Sequence, residues 1–239
     1  EEVNAAVEGA IRAGAEEVVV NDSHGTMRNV IPEELHPEAS LITGSPKPMG
    51  MLEGLTAEFD CAFFLGYHAM AGGRGVLSHT YSGRTVRRVA VGGREVGELG
   101  LNAMVAHHLG VPVVLVTGDD ALAGEAREAA PEAVAVATKR ALGRYAAMCP
   151  PRRRVLEEIE EAAFQAVRRV AEGRVRVRPP AGPLDVEVEF TDPGMADVAH
   201  LVPGSVRVSP TTLRFRAEDA LEAYRVVRAF MYLAIAVAR

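Results

Sequence analysis

The chain has 239 residues, of which 48% are hydrophobic and 24% charged, and a net charge of −6 at pH 7. That length suits one large domain or a main domain with a smaller appendage, and the composition is that of an ordinary globular protein. The acidic balance, broken only by Arg152-Arg153-Arg154 beside prolines, argues against a nucleic-acid partner. No stretch approaches the roughly 20 uninterrupted apolar residues that span a bilayer, which argues against a membrane partner. The opening residues have no signal-peptide layout, so a cytoplasmic location is expected. Cys61 and Cys149 cannot build a disulfide framework and lack the CxxC spacing of a thiolate metal site, so both read as ordinary core or near-core thiols.

In chain order, Val3, Ala6, Val7, Ala10 and Ile11 recur at helical spacing, and Gly14 stops that helix. The β-branched run Val18-Val19-Val20 then breaks into Asn21-Asp22-Ser23-His24-Gly25. This is the half-unit of a parallel α/β sheet, in which ligands sit at the C-terminal ends of strands. The step recurs at Cys61-Ala62-Phe63-Phe64-Leu65, ending in Gly66-Tyr67-His68, and at Val111 to Val116, ending in Thr117-Gly118-Asp119-Asp120. Between them an alternating stretch, Val86 to Val91, meets a turn at Gly92-Gly93, and a helix is expected from Glu98 to Leu109.

Helices are further expected over Ala121 to Ala129, Arg154 to Glu172 and Ala217 to Ala238, and strands over Val186 to Phe190 and Thr212 to Arg216. The expected fold class is three-layer α/β/α with a mainly parallel, mixed sheet. A soft boundary near Pro150 would separate an α/β portion, residues 1–150, from a smaller C-terminal α+β portion, residues 151–239.

Two imidazoles at strand ends, His24 and His68, and a carboxylate at a helix mouth, Glu98, suit Zn²⁺ in kind. Pattern alone leaves each open. A histidine after a strand is commonly a satisfied polar residue, and a first-turn Glu commonly serves the helix dipole. Asp22 reads equally as support for an imidazole or as an Asx-type turn. His36 before Pro37, and His107 and His108 near a helix end, read as structural. Asp119-Asp120 reads as a helix cap, and Gly72-Gly73-Arg74-Gly75 is a weak match to a phosphate-cradling loop.

The ordered segments Val20-Asn21-Asp22-Ser23-His24, Leu35-His36-Pro37-Glu38-Ala39, Phe64-Leu65-Gly66-Tyr67-His68-Ala69, Leu77-Ser78-His79 and Val96-Gly97-Glu98-Leu99-Gly100-Leu101-Asn102 resemble those of the D-aminopeptidase family, peptidase family M55. Thr117-Gly118-Asp119-Asp120 and Ala217-Glu218-Asp219-Ala220-Leu221-Glu222-Ala223-Tyr224 extend the match to nearly the whole chain. The resemblance implies a zinc-dependent aminopeptidase that removes N-terminal D-residues from short peptides such as D-Ala dipeptides. By motif, His24, His68 and Glu98 would be metal ligands and His79 the catalytic histidine, either nucleophile or general acid/base.

The resemblance also implies two zinc ions per subunit and a ring-shaped homo-oligomer, a decamer in the family. Part of the ligand set should lie on a first strand with an Asp-x-Glu-Gly motif ahead of the helix at Glu2, and the chain begins at that helix. Those ligands are expected in a preceding segment, without which metal binding would be poor. The alternatives are a peptide- or small-molecule-binding protein that keeps the fold without the chemistry, or a dinuclear-metal hydrolase acting on another amide or ester.

Overall fold

Local sequence decides most element boundaries in the computed structural model, which describes residues 1–238. The first helix, α1 (Glu2–Arg12), stops ahead of Gly14, whose φ of 102° a side chain would resist. β1 (Val18–Asn21) runs into the loop carrying His24, and β2 (Ala39–Ile42) follows. β3 (Ala62–Phe64) opens the long loop through His68 and His79, which ends at the hairpin of β4 (Val86–Val91) and β5 (Arg94–Glu95). Next come α2 (Glu98–His108), β6 (Val113–Asp119), α3 (Asp120–Ala129), β7 (Val134–Gly143) and β8 (Ala146–Met148). The chain continues through α4 (Arg152–Ala171), β9 (Leu184–Phe190), α5 (Pro193–Ala199), β10 (Val206–Arg207), β11 (Thr212–Ala217) and α6 (Ala220–Ala236).

The fold is α/β, built on open sheets. A mixed sheet in the order β3-β6-β7-β8 has β3, β6 and β7 parallel and β8 antiparallel at its edge. β6 is buried at every position, as a strand covered on both faces must be. On one face α1 and α4 enclose Ala6, Leu115, Val136, Ile159 and Ala163. On the other, α2 and α3 cover a larger core. That core runs on into an antiparallel sheet, β10-β11-β9-β4-β5, backed by α5 and α6. Strands from both sides of Pro150 therefore share one sheet, since β9 lies between β11 and β4. At the end of the chain, Phe230 and Met231 are core residues, whereas Tyr232 is exposed. The expectation of a core or near-core thiol is corrected for Cys149, which is exposed just past the edge strand β8.

Gly9 sits where α1 crosses α4. A Cβ there would run into the Glu160 carbonyl oxygen and lie 2.9 Å from Ala163 Cβ. Gly9→Ala is therefore expected to destabilise the protein by about 1–3 kcal/mol through overpacking, although alanine is the better helix former. An unchanged or raised melting temperature would show that the crossing yields instead.

β1 and β2 pair in parallel, and among the described residues β1 has no second strand neighbour and β3 has only β6. Both line one cleft of about 390 Å³, with Val3, Val7 and Ala10 of α1 on its wall. Asp22, His24 and Tyr67 are among its lining residues.

Candidate active site

The C-terminal ends of β1 and β3 and the N-terminus of α2 deliver the site residues. His24 lies in the loop after β1, where Asp22 accepts hydrogen bonds from Asn29 N, Asn29 Nδ2 (2.9 Å) and Val30 N (2.7 Å). Burial pushes the Asp22 carboxyl up, but these donors outweigh it and hold its pKa below the ordinary value. Asp22 thus braces its loop across seven and eight residues, a wider span than an Asx-type turn.

His68 follows β3 by a few residues. Its Nδ1 lies 3.3 Å from the Val76 carbonyl oxygen, and a carbonyl can only accept, so Nδ1 carries the hydrogen and Nε2 presents a lone pair. Burial, then the neighbouring His79, holds its pKa below the usual imidazole range, favouring the neutral form that binds metals. The His68 ring lies 6.4 Å from that of His24 and 4.9 Å from that of His79, centre to centre.

His79 repeats the pattern. Its Nδ1 is 2.7 Å from the Leu77 carbonyl oxygen, which leaves Nε2 facing Glu98 Oε1 at 3.3 Å. Glu98 is the first residue of α2, where the helix dipole favours a carboxylate. It is 5% exposed and accepts Tyr81 N at 2.6 Å. Burial pushes its pKa up, opposed by the facing His79, the Tyr81 N–H and, at longer range, His24.

One turn along the same helix face, Asn102 is fully buried. Its Oδ1 accepts Tyr81 Oη at 2.7 Å and its Nδ2 donates to Tyr67 Oη at 2.9 Å. Asn102 therefore ties the His68 and His79 segments to the helix that carries Glu98. Sequence reading passed over this role, although the i, i+4 spacing from Glu98 was a signal for it.

His24, His68, His79 and Glu98 thus stand in one neighbourhood. Among the described residues, no three His, Cys, Asp or Glu side chains form a group that could hold a metal ion by themselves. The donors fit zinc in kind, with neutral imidazole nitrogen and carboxylate oxygen, and a complete shell needs further ligands.

The other singled-out residues do different work. His36 Nε2 meets Glu8 at 3.2 Å, joining the loop before β2 to α1. Asp119 is the last residue of β6, not a loop residue, and its carboxylate caps α3 by accepting Leu122 N at 2.9 Å. Asp119 also accepts Val76 N at 2.5 Å, and Glu125 accepts Met70 N at 2.9 Å. The glycine-rich segment between Met70 and Val76 is thus held at both ends by carboxylates, which is the opposite of a phosphate cradle.

The family model described as D-aminopeptidase, peptidase M55, matches residues 1–229. A D-aminopeptidase of Bacillus subtilis strain 168 is 42% identical over 98% of this chain and 85% of its own length. The solved structure of the Zn-dependent D-aminopeptidase DppA from Bacillus subtilis, described as a self-compartmentalizing protease, superposes with a TM-score of 0.93 at 39% identity, covering 100% of this chain and 86% of that one. With matches of that extent to sequence and fold alike, the chain belongs to the D-aminopeptidase family.

Proposed function

We infer that the protein is a zinc-dependent aminopeptidase that removes D-amino acids from the N-termini of short peptides. The observation that carries this reading is the row of His68, His79 and Glu98, in which the His68 ring lies 4.9 Å from that of His79 and His79 Nε2 faces the buried Glu98 carboxylate at 3.3 Å, while the Val76 carbonyl holds His68 Nδ1 and leaves its Nε2 for a ligand. His24, His68 and Glu98 would hold the metal. When bound, zinc supplies Lewis-acid polarisation of the scissile carbonyl and a nucleophile at neutral pH. His79 moves the proton: its Nε2 is free to accept one, Glu98 stabilises the resulting imidazolium, and the same nitrogen can return the proton to the leaving amine.

We further propose that the cleft between β1 and β3 takes one more parallel strand, whose carboxylates would join His24 and complete a site for two zinc ions. Among the described residues, the two strands lining that cleft each pair on one side only and the donor set is incomplete, which supports this reading. A homo-oligomer enclosing the sites, in the form of a ring, is proposed from the similarity to a self-compartmentalizing protease. Zinc content and a panel of D- and L-aminoacyl amides test the whole reading. Two zinc ions per chain and hydrolysis confined to D-residues are expected when such a strand, carrying an Asp-x-Glu motif, precedes Glu1, with weak zinc binding in its absence. Preference for L-substrates, or no zinc in the extended chain, would overturn it.

A further inference from the structure

We propose that Arg144 is a positioning residue for His79, fixing the backbone that presents the imidazole to Glu98 and so setting turnover rather than substrate affinity. The inference rests on the aminopeptidase reading above.

Gly143 pairs with Ala146, so Arg144 and Tyr145 form the two-residue turn at the tip of the β7–β8 hairpin. The hairpin is itself anchored, because Ala141 N donates to Asp120 Oδ1 at 2.8 Å at the start of α3. From that anchored tip, Arg144 reaches the catalytic loop twice. Its carbonyl oxygen accepts Leu77 N at 2.8 Å, and its Nη1 donates to the Ser78 carbonyl oxygen and to Ser78 Oγ, the latter at 3.1 Å. The arginine and His79 flank a single glycine: a Cβ on Gly83 would lie 3.4 Å from His79 Cβ and 3.7 Å from Arg144 Nη2.

The loop needs such a clamp. Leu77 and Tyr81, two residues either side of His79, hold φ values of 52° and 58°, a left-handed backbone that side chains disfavour and that persists only where surroundings enforce it. His79 N donates to Ala69 O at 3.0 Å and Ser78 Oγ to Gly73 O at 2.9 Å, holding the loop from below. Arg144 closes it from the side facing the hairpin. A single guanidinium nitrogen, Nη1, meets both the carbonyl and the hydroxyl of Ser78, and the planar head fixes the directions of its two N–H bonds, which the freely rotating ammonium of the shorter lysine side chain does not. Arg144 is exposed, so its truncation spares the core.

The test is Arg144→Ala and Arg144→Lys in the zinc-loaded protein, with Arg140→Ala, a cation on the same hairpin that does not touch the loop, as control. For Arg144→Ala, kcat on a D-alanyl dipeptide is expected to fall roughly 10- to 100-fold, with KM within about twofold and zinc content unchanged, as a small misplacement of a reacting group would produce. Added guanidinium should restore part of the rate, and lysine should restore little. In the metal-free protein, amide exchange across residues 77–81 should speed up in Arg144→Ala and not in Arg140→Ala. An unchanged kcat, a rise in KM alone, or an equal loss in the control would each overturn the proposal. A wild-type protein without activity would count against the aminopeptidase reading alone, and amide exchange would still decide on Arg144.

Discussion

Glu98→Ala is expected to lose zinc and aminopeptidase activity together. Loss of a group that merely supports a ligand costs about 10–100-fold in metal affinity or activity, so loss of a ligand itself should exceed that range. Alanine also strips a hydrogen-bond acceptor from the part-buried Tyr81 N–H, which costs up to about 1–3 kcal/mol of stability. Glu98→Gln separates the two effects. The amide oxygen keeps the Tyr81 bond and the fold, but the charge that neutralises a cation is gone. Glutamine should melt near the wild type and still bind zinc poorly by metal analysis. Full zinc occupancy in Glu98→Gln would remove Glu98 from the ligand set.

His79→Ala is expected to behave in the opposite way, keeping zinc and fold while losing about 10²–10⁴-fold in kcat, the usual contribution of a general acid or base. The geometry supports this division of labour. His79 holds its Nδ1 hydrogen on Leu77 O and points Nε2 at Glu98, and it is only partly buried, so substrate can reach it. Metal analysis beside steady-state kinetics checks the prediction. Near-normal turnover in a zinc-loaded variant would move the proton transfer elsewhere. Asp22 is a poor substitute, because its carboxylate is already committed to the Asn29 and Val30 donors.

What was legible in the sequence followed from local periodicity. The apolar runs near Val18, Phe63 and Val113 became parallel strands, and the first two open into polar loops at their C-terminal ends, in which His24 and His68 fall and beside which Glu98 packs. The hairpin at Gly92-Gly93 was also readable, although it belongs to the separate antiparallel sheet and not to the parallel one. Strands such as β7 were not readable. In Val134-Ala135-Val136-Ala137-Thr138 the valines and threonine favour a strand while the alanines between them do not, and pairing with the neighbouring β6 decides the outcome. β6 likewise runs on through Thr117 and Gly118 to Asp119, since pairing with β7 outweighs the turn preference of those residues.

The site divides in the same way. The residue types that suit zinc stand out in the sequence, whereas the groups that aim them do not. Arg144 meets Ser78 across 66 positions, and Tyr67, Tyr81 and Asn102 come together from three separate segments. Contacts of that kind depend on how the sheets and α2 pack, which no local pattern encodes.

The central claim is that His24, His68 and Glu98 bind zinc while His79 stays outside the coordination shell. Anomalous scattering at the zinc edge from crystals of the zinc-loaded protein tests it directly. The account predicts a peak within about 2.0–2.2 Å of a His68 nitrogen and a Glu98 oxygen, the normal zinc–ligand distances, with His24 beside it and His79 hydrogen-bonded but not ligating. A principal zinc peak away from these residues, or one ligated by His79, would contradict it.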